Sequence, residues 1–578
     1  MRYIFDLETN GLLDEVTKIH CIVAANLTTR KLQKFSTEAG NIEEGLKLLA
    51  DAEELIGHNI MGYDLMVIKK LYPTWHTNAK LTDTLIQCRL IWGNIGEIDS
   101  IKKSCSYPPF PPKLRGRHSL EAWGYRLKCL KGDYGVTADW ETYSKEMLQY
   151  CVQDVLVNVK LHDKIISKNY SEDAMDLEHD IHRICLEQQT FGFPFDEEKA
   201  AALYAKLSGR RDELKQIMVH TFEPNIIELK TKTKVLPFNP SSRQQIADRL
   251  QKRGWEPKAH TESGQVIVNE TTLKEIEDTI PEAKLLLEYL MLVKRLGQLS
   301  EGKNGWLKLS KNGRIHYSTN TLGAVTGRAT ASRPNVQQVP SDRAECGKEC
   351  RELFHAPKGW ELMGSDQSGI ELRCLAHYMG KWDNGAYGKV ILEGDIHTTN
   401  QIAAGLDTRA QAKTFIYGGI LYGAGDAKIG SIVGGTKADG KRLKEQFLEG
   451  LPALKELQDD VKKQAELGSV KGLDGRKIPV RHAYASLNTL LQSCGAVLAK
   501  RWVVIFHQLC KEKGYTHGVE FQQCAWVHDE IQILVKEGTG DVFGALAQKA
   551  MRQTGDYYKF GVRLDAEYNI GRSWADTH

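Results

Sequence analysis

Apolar residues over the first 165 positions follow two rhythms. Short runs (YIFDL from Tyr3, HCIVAA from His20, ELIGHN from Glu54) have the length of strands. EEGLKLLADA from Glu43 and MLQYCVQDVLVNVKLHDKII from Met147 repeat apolar residues at helical spacing. Together they predict an α/β unit. The proline-rich stretch Cys105–Leu114 predicts a surface loop. From about residue 172 the pattern turns helical, and DLEHDIHRICLEQQTFG stops at Gly192. Residues 196–310 read mostly as long helices with lysine-rich joints, one opened by Pro281 and running through EAKLLLEYLMLVKRLGQ. Beyond 311, short strands and helices alternate as in a mixed α/β domain.

A chain of 578 residues is too long for one core and predicts about three or four domains. With 41% hydrophobic and 26% charged residues, the composition is that of a soluble globular protein. No continuous run of about 18 apolar residues is present, and the start, MRYIFDLETN, lacks the layout of a signal peptide. No membrane partner is expected. The twelve cysteines include no CxxC pair; Cys346 and Cys350 are the nearest, without histidines at zinc spacing, so reduced thiols in a cytosol are the simpler reading. A net charge of +3 leaves nucleic acid open as a partner, because carboxylates that hold cations and bases that hold phosphates nearly cancel.

Asp6 and Glu8 stand two apart in a predicted strand and so share a face. Asp64 comes next in IGHNIMGYD, and Asp154 lies four residues after Tyr150, on one helical face with it. Four converging carboxylates suit two divalent cations about 4 Å apart, an arrangement that hydrolyses phosphodiesters. Tyr150 is then the candidate for orienting the attacking water. Taken singly, an Asp-x-Glu on a strand end is more often a solvated rim.

A second set lies in the C-terminal half. Asp366 ends the apolar run GWELMGSD, ahead of the helix-like IELRCLAHYM; Asp529 and Glu530 occupy the tip of a predicted hairpin in CAWVHDEIQILV. Two aspartates bridging two Mg2+ ions, with Mn2+ as a substitute, meet the needs of nucleotidyl transfer. Between them, Arg409, Lys413 and Tyr417 recur every four residues on one helical face. Two cations beside a ring suit a nucleoside triphosphate, although such a face in isolation is more often plain basic surface.

SDQSGIELR, RAQAKTFIYG and VHDE resemble motifs A, B and C of family A DNA polymerases, and AVTGRATASRPNVQQVP and LNTLLQSCGA resemble two further segments of that family. The likeness is nearer still to the replicative polymerases of short-tailed phages of the T-seven type, through FNPSSR, EYLM, GDIHT, YGAG and GLDGRK. The first carboxylate series, with LTDTLI and SLEAWGYRLK, resembles DnaQ-like proofreading exonucleases. These resemblances imply a multidomain α/β chain. An RNase H-like 3′-5′ exonuclease is expected over 1–170 and a right-hand polymerase over 171–578, with thumb 196–310, palm 311–375 and 496–578, and fingers 376–495.

The resemblance also carries roles. Asp366 and Asp529 match the palm metal ligands, with Gln367 lending its carbonyl and Glu530 beside the primer end. Asp6, Glu8, Asp64 and Asp154 match the exonuclease metal ligands. Glu371 matches the steric gate against a ribose 2′-OH, and His397, Arg409 and Lys413 match triphosphate contacts, Lys413 also as proton donor to pyrophosphate. Tyr417 matches the ring that packs on the incoming sugar. Arg328, Asn335, Gln338, Asn488, Gln492 and His528 match contacts to primer–template DNA. The implied setting is the cytoplasm of a phage host, with a replicative helicase–primase and a single-strand binding protein as partners.

Two departures stand out. The family places a second tyrosine eight residues after the helix lysine, but here that position is Leu421 and Tyr422 comes next. Gly418-Gly419 reads as a one-residue insertion: in an unbroken helix it rotates every later side chain by about 100°, and a bulge at the glycines restores the face. Relatives that borrow host thioredoxin carry a long thumb insert for which this chain has no room before FNPSSR, so no thioredoxin partner is expected. The competing readings are a polymerase using NTPs or an RNA template, against which Glu371 speaks, and a nuclease or DNA-binding protein with an inactive polymerase half, against which the Asp366/Asp529 pair speaks.

Overall fold

The N-terminal runs form a five-stranded sheet in the order Leu32–Ser36, Ile19–Asn26, Arg2–Thr9, Glu54–Gly57, Lys80–Asp83. In this computed structural model, residues 1–101, 110–131, 134–137, 139–229, 232–421 and 423–578 are described. Arg2–Thr9 runs antiparallel to Ile19–Asn26 and parallel to Glu54–Gly57. Strand alternation sorts its side chains: Tyr3, Phe5 and Leu7 enter one core, while Ile4 packs with Met147, Cys151 and Val155 of the Lys145–Ile166 helix. Asp6 and Glu8 share the face of Ile4 and are thereby turned toward that helix. Most of the proline-rich stretch expected as a surface loop lies outside the described residues; Pro112–Leu114 forms a short 3-10 turn.

The helix Glu172–Phe191 begins with the Ser171 hydroxyl accepting from Ala174 N and ends at Gly192, as the pattern predicts. Gly192 has φ +69°, and a Cβ there would meet His316 Nδ1 at 2.8 Å, so both conformation and space demand glycine.

Long helices Glu197–Thr221 and Glu282–Leu296 pack together, the latter with Pro281 at its N-cap. Between them the expectation of mostly long helices fails over 225–274. Asn225–Leu229 pairs antiparallel with Lys232–Leu236, and only the short helices Arg243–Gln251 and Glu270–Lys274 come after. Ile226, Ile227, Thr233 and Val235 are β-branched and lie in five-residue runs too short for a stable helix turn pattern, which favours a hairpin.

The C-terminal half is built on a four-stranded antiparallel sheet in the order Phe521–Val527, Glu530–Lys536, Trp360–Gln367, Ala566–Gly571. Its faces enter different cores. Met363, Ile531, Ile533 and Val535 pack toward the helices Ser486–Glu512 and Gly540–Tyr557, while Leu362 and Leu534 pack with the long helices of 197–296. Each such buried aliphatic side chain contributes about 2 kcal/mol, which fixes the strand register from both sides. Beyond 311 the expected alternation holds at the two ends; from Ile370–Asp383 to Pro452–Glu466 the described elements are all helices, joined by short turns. Ala483–Glu512 is long and apolar enough to cross a membrane, which the run-length reading missed, but 83% of its apolar window is buried inside the protein, as in a core helix.

Candidate active sites

The sheet brings the C-terminal carboxylates together. Asp366 ends the Trp360–Gln367 strand and stands opposite Glu530 in the register, and Gln367 N donates to Asp529 O at 3.1 Å. Asp529 lies in the two-residue turn of the predicted hairpin, between paired Val527 and Glu530. His528, its neighbour in the turn, has φ +59°, a conformation glycine adopts most readily. Such backbone costs about 1–3 kcal/mol and collects at functional sites.

Burial pushes the Asp366 carboxyl up to about 7, with the charges of Asp529 and Glu530 adding to it. Asp529 is likewise raised, by burial. Burial pushes Glu530 up too, but the hydrogen bond and charge of His578 (3.2 Å) outweigh it and hold Glu530 below its ordinary value. Trp574 Nε1 also donates to Glu530 at 2.5 Å. Two acids raised by burial and by neighbouring charge, beside the buried side-chain amide of Gln367, unpartnered among the described residues, form a set that a divalent cation relieves.

A cavity of about 250 Å³ opens at this tip, lined by Arg328, Gln337, Glu371, Asn488, Gln492, His528 and Asp529, together with Leu421 and Trp526. It gathers four of the six residues expected to contact DNA. Asn335 instead caps the Val336–Gln338 turn, accepting from Gln337 N at 3.1 Å, and Gln338 is exposed. Gln337, which sequence reasoning missed, takes the lining position.

Arg409 and Lys413 lie exposed on one face of Arg409–Thr414, a helix closed by a Thr408/Gln411 capping box. The chain continues as a π-helix over Phe415–Leu421, which encloses Gly418-Gly419. This is the bulge that the extra residue called for; it begins after Lys413, and Tyr417 lies within it. Tyr422 itself lies outside the described residues. His397 packs with Tyr417 at 6.1 Å between ring centroids, and Arg409 Nε pairs with Asp395 at 2.8 Å. Asp395 also caps the helix that carries His397, so one acid ties that helix to Arg409.

The N-terminal carboxylates also converge. Ligand atoms of Asp6, Glu8 and Cys151 lie within 4.8 Å of one another, and the Cys151 thiol donates to Asp6 O at 3.4 Å. Asp64 opens the Asp64–Leu71 helix and accepts from the Leu7 backbone. Burial raises all four acids, Asp64 to about 7 and Asp154 to about 6; Asp6 is raised further by Asp64, Asp154 and Glu8. Asp154 is buried, with Oδ1 unpartnered among the described residues. These donors, too, fit divalent cations. A cavity of about 920 Å³ is lined by Asp6, Asp154, Arg89, Arg117 and Lys131 and by Asn320, Leu322 and Gly323 of the C-terminal half. Lys131, bonded to both Asp154 and Tyr150, carried no sequence signal: it lies in a loop just past the SLEAWGYRLK segment, one of three bases within six residues.

A family model described as DNA polymerase family A matches residues 206–576, and the chain belongs to that family. It is 36% identical to the DNA-directed DNA polymerases of Escherichia phage T7 and of Enterobacteria phage T3, with the whole of each chain covered. The T7 alignment spans 706 positions against 578 residues here, so that relative carries segments this chain lacks. DNA polymerase I of Aquifex aeolicus is 28% identical over 92% of this chain and 89% of its own. The fold is shared with the solved POL domain of Pol1 from M. smegmatis, in complex with DNA primer-template and dNTP. The TM-score is 0.76 at 18% identity, over all of this chain and 97% of that one.

Proposed function

We propose that this chain extends a DNA primer with dNTPs on a DNA template and removes 3′-terminal nucleotides at its N-terminal carboxylates. The observation that carries the synthetic reading is the joining of Asp366 and Asp529 through the Gln367–Asp529 backbone bond, at the mouth of a cavity that also holds Glu371. Asp366, Asp529 and the Gln367 carbonyl would hold two Mg2+ or Mn2+ ions, as would Asp6, Glu8, Asp64 and Asp154. Bound cations supply Lewis acidity: they lower the pKa of the primer 3′-OH or of a water and neutralise the leaving oxygen.

The protein's own groups do the rest. Arg409, Lys413 and His397 receive the triphosphate, Arg409 exchanging Asp395 for a phosphate, and Lys413 gives a proton to pyrophosphate. Tyr417 packs on the sugar while Glu371 fills the space of a 2′-OH. Arg328, Asn488, Gln492 and His528 hold the duplex end, with Asn335 and Gln338 further along it. On the N-terminal side, Tyr150 orients the attacking water. Exonuclease 1–170 and polymerase 171–578, thumb 196–310, palm 311–375 and 496–578, and fingers 376–495 remain our division of labour. The chain runs from the helix Glu197–Thr221 to FNPSSR in too few residues for a thioredoxin-binding insert, which supports an enzyme that works without thioredoxin. A helicase–primase and a single-strand binding protein are its proposed companions in the host cytoplasm.

Separation-of-function variants test the proposal. Asp529→Ala should abolish primer extension and spare digestion of single-stranded DNA; Asp6→Ala with Glu8→Ala should do the reverse. Joint loss in either variant would reject two independent sites. The parent should prefer dNTPs to NTPs, and Glu371→Ala should relax that preference.

A further inference from the structure

Resting on the exonuclease reading, we infer that Lys131 is the positioning residue of that site, holding Tyr150 and Asp154 in one arrangement. Its ammonium is hydrogen-bonded to the Asp154 carboxylate and the Tyr150 phenol and lies 4.5 Å from the Tyr150 ring centroid. It lines the same cavity as Asp6 and Asp154, so it faces the space a strand end would enter. The Lys131 side chain is 18% exposed and that of Asp154 only 4%, so the pair is shielded from solvent competition.

The loop that delivers Lys131 is itself fixed. Gln153, on the helix of Tyr150 and Asp154, donates to Leu130 O at 2.8 Å, and a Cβ on Gly124 would meet Cys129 O at 2.8 Å. The same helix thus carries the two groups to be aligned and the tether of the lysine that aligns them. Without the ammonium, the ring contacts of Tyr150 among the described residues are those with Tyr134 (5.6 Å) and Trp140 (6.2 Å), and ring packing does not fix where its hydroxyl points.

The rival account is that the ammonium is a stand-in cation, displaced whenever metal binds. The two differ in what Lys131→Met does at saturating Mg2+. As the positioning residue, its loss should lower kcat for single-strand digestion about 10–100-fold, the usual range for groups that orient metal-site residues. Lys131→Arg should restore part of it, and primer extension should be unchanged. Because the lysine acts through Tyr150, the losses in Lys131→Met and Tyr150→Phe should not add in the double variant. Mn2+ binding, read by electron paramagnetic resonance in an Asp366→Ala/Asp529→Ala background, should be at least as tight as in the parent. Full kcat at saturating Mg2+, additive losses, or loss of Mn2+ binding would each overturn the inference. A parent that digests no single-stranded DNA would instead overturn the exonuclease reading beneath it.

Discussion

At the scale of the residue, both candidate centres are clusters of acids that repel until a cation arrives. Asp64 and Asp366 rise from 3.8 to about 7 and Asp154 to about 6, each chiefly through burial. A carboxyl whose folded pKa lies above its unfolded value stabilises the fold below the unfolded value and loses that contribution as pH rises through the folded one. For Asp64 and Asp366 the window runs from 3.8 to about 7. Mg2+ relieves the repulsion only where the acids are ionised. The gain in Tm on replacing EDTA with Mg2+ should therefore grow from about pH 5.5 to about pH 8. A gain that shrank over that range would contradict the placement of these carboxylates. The acids were legible in the sequence because each sits in a local pattern: a strand end, a helix or a hairpin tip. Lys131 and Gln337 were not, because their roles arise only where separate elements meet.

At the scale of the element, the π-helix Phe415–Leu421 shows how a chain absorbs an extra residue without losing the face that precedes it. Gly419 lies against Ile429, where a Cβ would come within 3.4 Å of a side-chain carbon, so the bulge is packed as well as wound. Deleting Gly418 removes the extra residue together with its bulge, so the segment should return to α-helical winding with its later side chains still on the face they now hold. The expected result is an unchanged dNTP KM and unchanged single-strand digestion; a KM raised at least about tenfold would show that the bulge does more than restore the face. The glycine pair announced this element. Nothing comparable announced the hairpin at 225–236, whose short β-branched runs sit between two strongly helical stretches and take their register from each other.

At the scale of the whole molecule, a buried ion cluster ties three distant segments. Glu178 Oε1 accepts from Arg476 Nη2 at 2.9 Å and from Lys500 Nζ at 2.5 Å, and Arg476 Nη2 also pairs with Asp474 at 2.6 Å. All four side chains are at most 3% exposed, and the two acids balance the two bases. Glu178 is on the helix Glu172–Phe191, Asp474 and Arg476 in the hairpin Ser469–Lys471/Lys477–Pro479, and Lys500 on the long core helix. Lys500→Met leaves an uncompensated buried acid and should destabilise the C-terminal half by about 3 kcal/mol. The check is the urea midpoint for loss of primer extension; a midpoint equal to the parent's would show that the cluster adds no stability. Sequence reading had no access to it, because its members lie 298 and 322 positions apart.

The cavity beside Asp6 has one wall from the N-terminal sheet and another from Asn320, Leu322 and Gly323 of the C-terminal half. On the proposed reading, a strand end reaches it only after leaving its complement. The toll is the stacking and pairing of the terminal steps, about 1.4 kcal/mol per step in matched DNA and less at a mismatch. Editing of that kind needs no recognition of the wrong base. The duplex reports its own error by fraying, and selectivity becomes a race between adding the next nucleotide and letting the end go.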